Sequence, residues 1–342
     1  MKSPKSPPFE GGESAPIKAS RTGRRRGGKN ILTTPSAPLK ERGHFFDGAA
    51  TAPPRGGDFG LIVTWCLVML GVIACQPLPQ YAPPPTTPQR IISVVPSATE
   101  MLFAFGLDEK VIAVGDYDRF PPEVSSKPRI GGLLNPNIEK IIEMKPDLVV
   151  AYGSQDTLGE RLKALGIRYH LFVHGNAEDT LRAISDLGRI VGAEESSDKI
   201  VGDIRKTFDE LRAQAPPKKP KVLLVHNRGA GMLGSFYTVG SKTFQHDLIN
   251  IAGGENTFGD VDREALQPSI EEVIKRAPDI IIETLPPPID ERDVIQRKKD
   301  WESLGLAKGR VHILGENYYL VPGPRLHLAA RGFAEIIRRF SE

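Results

Sequence analysis

Asn135-Pro136-Asn137-Ile138-Glu139-Lys140-Ile141-Ile142-Glu143-Met144-Lys145-Pro146-Asp147-Leu148-Val149-Val150 returns 132 residues later, without a gap, as Gln267-Pro268-Ser269-Ile270-Glu271-Glu272-Val273-Ile274-Lys275-Arg276-Ala277-Pro278-Asp279-Ile280-Ile281-Ile282. Each copy opens on a turn and continues with apolar residues at helical spacing. It then breaks at Pro-Asp and ends in a buried apolar run. Helix followed by a short buried strand belongs to a mainly parallel α/β sheet. Its recurrence implies two lobes of one plan.

Outward from the first copy, Ile91–Val95, Val111–Val114, Leu148–Ala151 and Tyr169–Val173 read as strands, with helices through Phe105, near 157–165 and at 177–191. Ser97-Ala98-Thr99-Glu100 has the spacing of a capping box. These make an N-terminal α/β lobe over 89–192. Around the second copy, Lys221–Val225, Ile280–Ile282 and Val311–Leu314 read as strands, Phe244–Ala252 and Arg325–Phe340 as helices, giving a C-terminal lobe over 217–342. Between them, within 193–216, Ile200, Ile204, Phe208 and Leu211 form one stripe of a helix about 33 Å long. That is too long for a crossover inside a small sheet. The expected fold is α/β: two lobes with mainly parallel sheets, joined by a single long backbone helix, with a ligand cleft between them.

The 342 residues carry 45 Lys+Arg against 42 Asp+Glu, a charge of +3. The sign is set upstream: residues 1–60 hold 11 basic and 5 acidic residues and 61–75 none, leaving 76–342 at −3. Residues 1–58, rich in Pro, Gly, Ser and Arg, read as a disordered or misassigned leader. Phe59–Ala74 is uncharged and short of a membrane span. With its basic flank and the end Val72-Ile73-Ala74-Cys75 it reads as a lipoprotein signal peptide over 59–75, with Cys75 lipidated. Residues 76–88 read as a Pro-rich tether. Cys66 and Cys75 are the only cysteines, so the body has no disulfide, Cys-based zinc site or Cys nucleophile. A mildly acidic body excludes a nucleic-acid binder. The expected protein is exported to the periplasm or cell surface as a membrane-tethered monomer.

Ligands of open α/β sheets bind beyond the carboxyl ends of the strands. Those ends supply Ser97, Tyr117, Tyr152, His174, Asn227 and Arg228, with Tyr237 and Tyr318 further on, and the aromatics suit a large flat ligand. His170 and His174 share a strand face about 13 Å apart, too far for a paired zinc site. No Gly-x-Ser-x-Gly elbow, P-loop or dinucleotide fingerprint opens a helix after a strand, so neither an enzyme nor a resident cofactor is expected.

Arg90–Gly106 with Pro96-Ser97-Ala98-Thr99-Glu100, Tyr117-Asp118-Arg119-Phe120-Pro121-Pro122, the two helix–Pro-Asp–strand units and Ala252-Gly253-Gly254-Glu255-Asn256 together resemble class III substrate-binding proteins of bacterial ABC importers. The resemblance covers about 88–340. It implies a non-enzymatic protein that takes cobalamin, a ferric siderophore or haem to an ABC transporter permease. It also implies that Glu139 and Glu271 dock on permease arginines, and that Tyr117 and Tyr152 line the ligand site. Where the cobalamin binder of this family has Trp, this chain has Gly131–Leu134 and Leu266; a tethered ligand sensor on the same fold is the alternative.

Overall fold

The central strands of the first lobe, Ile91–Ser93 and Leu148–Tyr152, are buried along almost their whole length because both faces of their sheet are covered. The computed structural model describes residues 87–153, 156–286 and 288–341, all within one unit, Gln80–Glu342. The leader, the signal segment with Cys75 and the tether up to residue 86 lie outside the described residues. In chain order the first lobe runs β1 (Ile91–Ser93), α1 (Pro96–Ala104), β2 (Val111–Val114), α2 (Ile138–Glu143), β3 (Leu148–Tyr152), α3 (Asp156–Ala164), β4 (Tyr169–Phe172) and α4 (Ala177–Val191). Helix α5 (Glu194–Ala213) follows. The second lobe runs β5 (Lys221–Val225), β6 (Thr238–Val239), α6 (Phe244–Ile251), β7 (Glu255–Asn256), β8 (Ala265–Leu266), α7 (Ile270–Arg276), β9 (Ile280–Thr284), α8 (Glu291–Ser303), β10 (Val311–Leu314) and α9 (Leu326–Ser341).

Both main sheets are parallel and share one strand order: β2-β1-β3-β4 in the first lobe, and β7-β5-β9-β10 in the second. The repeat acts as a joint in each. Asn137 and Ser269 cap the two helices, accepting from the N–H of Lys140 and Glu272. Lys145 and Ala277, each before a proline, take the left-handed conformation that ends the helix (φ 48° and 49°). Asp147 then fastens the first strand: its carboxylate accepts from the N–H of Gln89 (2.8 Å) and Arg90 (3.0 Å), and its own N–H donates to the Arg90 carbonyl. Asp279 does the same with Lys221, at 2.9 and 2.8 Å. The recurring aspartates are therefore structural.

One apolar core unites the lobes. Ile91 and Leu148 of the first sheet, Ile204, Phe208 and Leu211 of α5, Val222 and Ile280 of the second sheet and Phe333 of α9 belong to a single buried cluster. Separate clusters cover the outer sheet faces, around Ile92, Ile141 and Val149 and around Leu223, Ile281 and Trp301. The long helix, about 30 Å at 1.5 Å per residue, is thus a shared core element. Gly188 lets α4 cross it closely, since a β-carbon there would collide with the Ser197 side chain. Gly192 (φ 69°) makes the turn between the two helices.

One local expectation is corrected, and one helix was not anticipated. Pro96 occupies the first turn of α1 and Val95 is its N-cap, so Ser97 lies inside the helix and no capping box forms. Glu100 instead crosses to the second lobe, where the Arg325 guanidinium donates to both carboxylate oxygens (2.8 and 2.6 Å). Helix α8 had no sequence signal. It is mostly charged, and its buried side chains are Arg297, Asp300 and Trp301, so it turns an ion network rather than an apolar stripe toward the core.

Candidate functional site

The strand ends of both lobes meet at a cleft holding a cavity of about 440 Å³, within the range of small-molecule sites. His174 and Gly175 line it from the first lobe. His226, Asn227, Tyr237, Lys242, Glu264 and Thr284 line it from the second. Short strands β6 and β8, paired antiparallel, carry Tyr237 and Glu264 at their borders.

Tyr152 ends β3 beside His174, with its hydroxyl 2.9 Å from His174 Nε2 and the rings 5.5 Å apart. This pairing orients the imidazole at the cavity wall. Glu264 acts on both residues across the cleft. Burial, reinforced by Glu264, raises the Tyr152 hydroxyl above its usual pKa, and burial lowers His174 against the opposing pull of Glu264. Asn227 lines the cavity in the left-handed conformation (φ 51°), and Tyr237, 42% exposed, projects at its edge. Tyr117, 63% exposed, stands on the loop after β2 with its ring against Gly132, outside the cavity wall.

Three expected ligand contacts lie elsewhere. Ser97 is 4% exposed and the Gly323 backbone passes over it, so it is no open helix terminus. Tyr318 packs on Tyr319 (4.6 Å between centroids) and near the Arg325 guanidinium (5.5 Å), in the joint that Arg325 makes with Glu100 and the Phe120 ring. Arg228 is 2% exposed. Its guanidinium donates to both oxygens of Glu283 and to Asp300 (2.7 Å) and lies 5.2 Å from the Trp301 ring, while Arg297 also pairs with Glu283. Asp300 further accepts from the Gly231 N–H (2.7 Å). The network pins the 227–231 loop from behind, so Arg228 shapes the cleft wall without facing the cavity.

Lys242, Glu264 and Thr284 were not singled out by sequence, whereas His226 follows the strand Lys221–Val225 and belongs with Asn227 and Arg228 to the strand-end residues read as cleft lining. Thr284 had a signal, because the 132-residue offset carries on to the end of the strand, where it stands in the place of Tyr152. His226 Nδ1 lies 2.6 Å from the Thr284 hydroxyl, which donates to the Val225 carbonyl. With the Thr284 hydrogen directed to Val225, Nδ1 acts as the donor of this pair, and Nε2 is buried without a partner among the described residues. Among the described residues no three His, Cys, Asp or Glu side chains form a metal-holding group.

His226 and Asp118 set opposite pH dependences of stability. Burial lowers His226 from 6.5 to about 4 and raises Asp118 from 3.8 to about 6; Thr99 and Arg129 oppose the rise and Glu100 adds to it. A depressed histidine costs stability as pH falls from about 6.5 toward 4. A raised carboxyl stabilises the fold below 3.8 and loses that contribution as pH rises through 6. The two offset each other between pH 6 and 4. Thermal denaturation at pH 7 and 4.5 should therefore show a smaller acid loss of Tm in His226→Gln than in wild type, and a larger one in Asp118→Asn. Equal losses in all three would contradict these environments.

The sequence matches the family described as periplasmic binding protein over residues 91–297. The chain belongs to this family. It is 27% identical over 261 residues to an uncharacterized ABC transporter substrate-binding lipoprotein of Bacillus subtilis, covering 73% of this chain and 80% of that one. It is 28% identical over 247 residues to a vitamin B12-binding protein of Photorhabdus laumondii, covering 71% and 86%. A solved structure of a possible iron-binding periplasmic solute-binding protein from Staphylococcus epidermidis superposes with a TM-score of 0.62 at 27% identity, covering 73% of this chain and 99% of that one. This periplasmic binding protein is thus a substrate-binding component of ABC transport rather than an enzyme, with the two lobes and long helix of the class III type.

Proposed function

We propose that this protein captures a metal chelate, cobalamin or a ferric siderophore, in the interlobe cleft and delivers it to an ABC permease. It acts as a monomer tethered through lipid on Cys75. The observation that carries the reading is where the exposed apolar side chains gather. Tyr117, Leu134 and Val173 of the first lobe and Met232, Tyr237 and Leu320 of the second are all exposed, and all sit on loops beyond strand carboxyl ends. Exposed apolar residues beyond the strand ends, of which Tyr237 and Leu320 line the cavity, support a ligand surface, here one suited to a large flat guest. The vitamin B12-binding and possible iron-binding relatives support the same class of cargo, and the Bacillus lipoprotein supports the tether. Haem is the second reading, favoured by His174 and Tyr237 at the cavity as donors for an axial position. Glu139 and Glu271 are exposed on α2 and α7 and form no ion pair among the described residues, as docking carboxylates require.

Equilibrium titration tests the cleft. Tyr237→Ala and Tyr117→Ala should each weaken binding of the preferred chelate by about tenfold, the loss of one aromatic contact. Unchanged affinity in both would remove the cleft rim from the binding surface.

A further inference from the structure

Resting on the docking reading above, we infer that each docking point is a two-part patch, in which Ile142 beside Glu139 and Ile274 beside Glu271 insert into apolar hollows of the permease. The two isoleucines occupy the same register of the repeat and are among the exposed large apolar side chains, at 39% and 45%. Their immediate predecessors, Ile141 and Val273, are fully buried, so the core is served without them. Each isoleucine follows its glutamate by three positions and shares its helix face.

The charges around the patches point the same way. Lys140 turns its ammonium to the Arg129 carbonyl (2.7 Å), and Arg276 is held by Asp260 and Glu272. Lys140 and Arg276 are thus engaged elsewhere, and neither carboxylate has a cation partner among the described residues. The complementary surface therefore offers a cation beside an apolar hollow. It offers this twice, so the partner has two like halves, either two copies of one membrane subunit or two homologous ones.

The helices that carry both patches start near the cleft. Helix α2 starts where Gly131 bridges Pro136 and accepts from the Asp116 N–H, at the carboxyl end of β2. Helix α7 starts just beyond β8, which lines the cavity. A partner seated on both helices lies over the mouth through which cargo leaves.

The test is binding of the full chain to the host importer's permease–ATPase complex in lipid nanodiscs, at low and high salt. Ile142→Ser with Ile274→Ser should weaken binding by about tenfold per side chain. The variant should keep the salt dependence of wild type, its Tm and its affinity for the chelate. Ile142→Leu with Ile274→Leu should bind like wild type. Glu139→Ala with Glu271→Ala should weaken binding and flatten its salt dependence. If the serine variant binds like wild type while the alanine variant does not, the apolar half is overturned and carboxylate docking stands. If neither variant loses binding, the docking reading itself fails.

Discussion

Uptake of the chelate should disappear in Glu139→Ala with Glu271→Ala, while affinity of the variant for the chelate stays at the wild-type value. Both carboxylates are exposed, sit in the first turn of their helices and lie outside the cavity wall. The folded state loses little without them. The Glu271 carboxyl is held below its usual range by its own backbone N–H and by Ser269, so it is fully charged at neutral pH. A carboxylate meeting an arginine makes a charge-assisted, often bidentate pair, and two such points fix orientation as well as affinity. Each single variant should retain partial uptake because one anchor survives. Normal transport by the double variant would remove these residues from docking.

The largest effect on stability should come from Arg228→Met. It leaves Glu283 buried with Arg297 as its remaining cation and Asp300 with no cation among the described residues. Removing one partner of a buried ion network costs about 3–5 kcal/mol, which lowers Tm by roughly 10 °C in a chain of this size. Arg228→Met with Glu283→Gln should cost less than the sum of the single changes, because the second substitution removes the charge that the first strands. Lys242→Ala, which breaks the exposed pair with Asp262, should change stability by less than about 0.5 kcal/mol. A cycle in which the two buried substitutions add without coupling would contradict the network. Denaturation in urea of the four proteins measures it.

Local sequence carried most of the fold and only part of the site, for a physical reason. Strands β5 and β10 and helix α4 are legible to the residue because a buried parallel strand and an amphipathic helix each write their burial into consecutive side chains. The repeat likewise exposed the two-lobed plan. Arg228 looked like a cleft residue because it follows a strand, yet its partners lie 55 and 72 residues away. Glu100 matched a local capping pattern, but its partner Arg325 is 225 residues distant. Charged pairs made across the fold leave no periodicity. Lys242 and Glu264, on the second-lobe wall of the cavity, were hidden for another reason: β6 and β8 beside them are two residues each, too short for any pattern. Extending the repeat past Ile282 to the strand end would have found Thr284.

Trp301, the one tryptophan downstream of residue 75, is buried behind the 227–231 loop with its indole N–H donating to Glu283 (3.1 Å). Its emission reports directly on the central claim, that a metal chelate fills the interlobe cleft. Titration with cyanocobalamin, haemin and ferric siderophores should give saturable one-to-one quenching by one of these chelates, weakened in Tyr237→Ala. Quenching by none of them, or saturable quenching that is identical in the cleft variants, would contradict it.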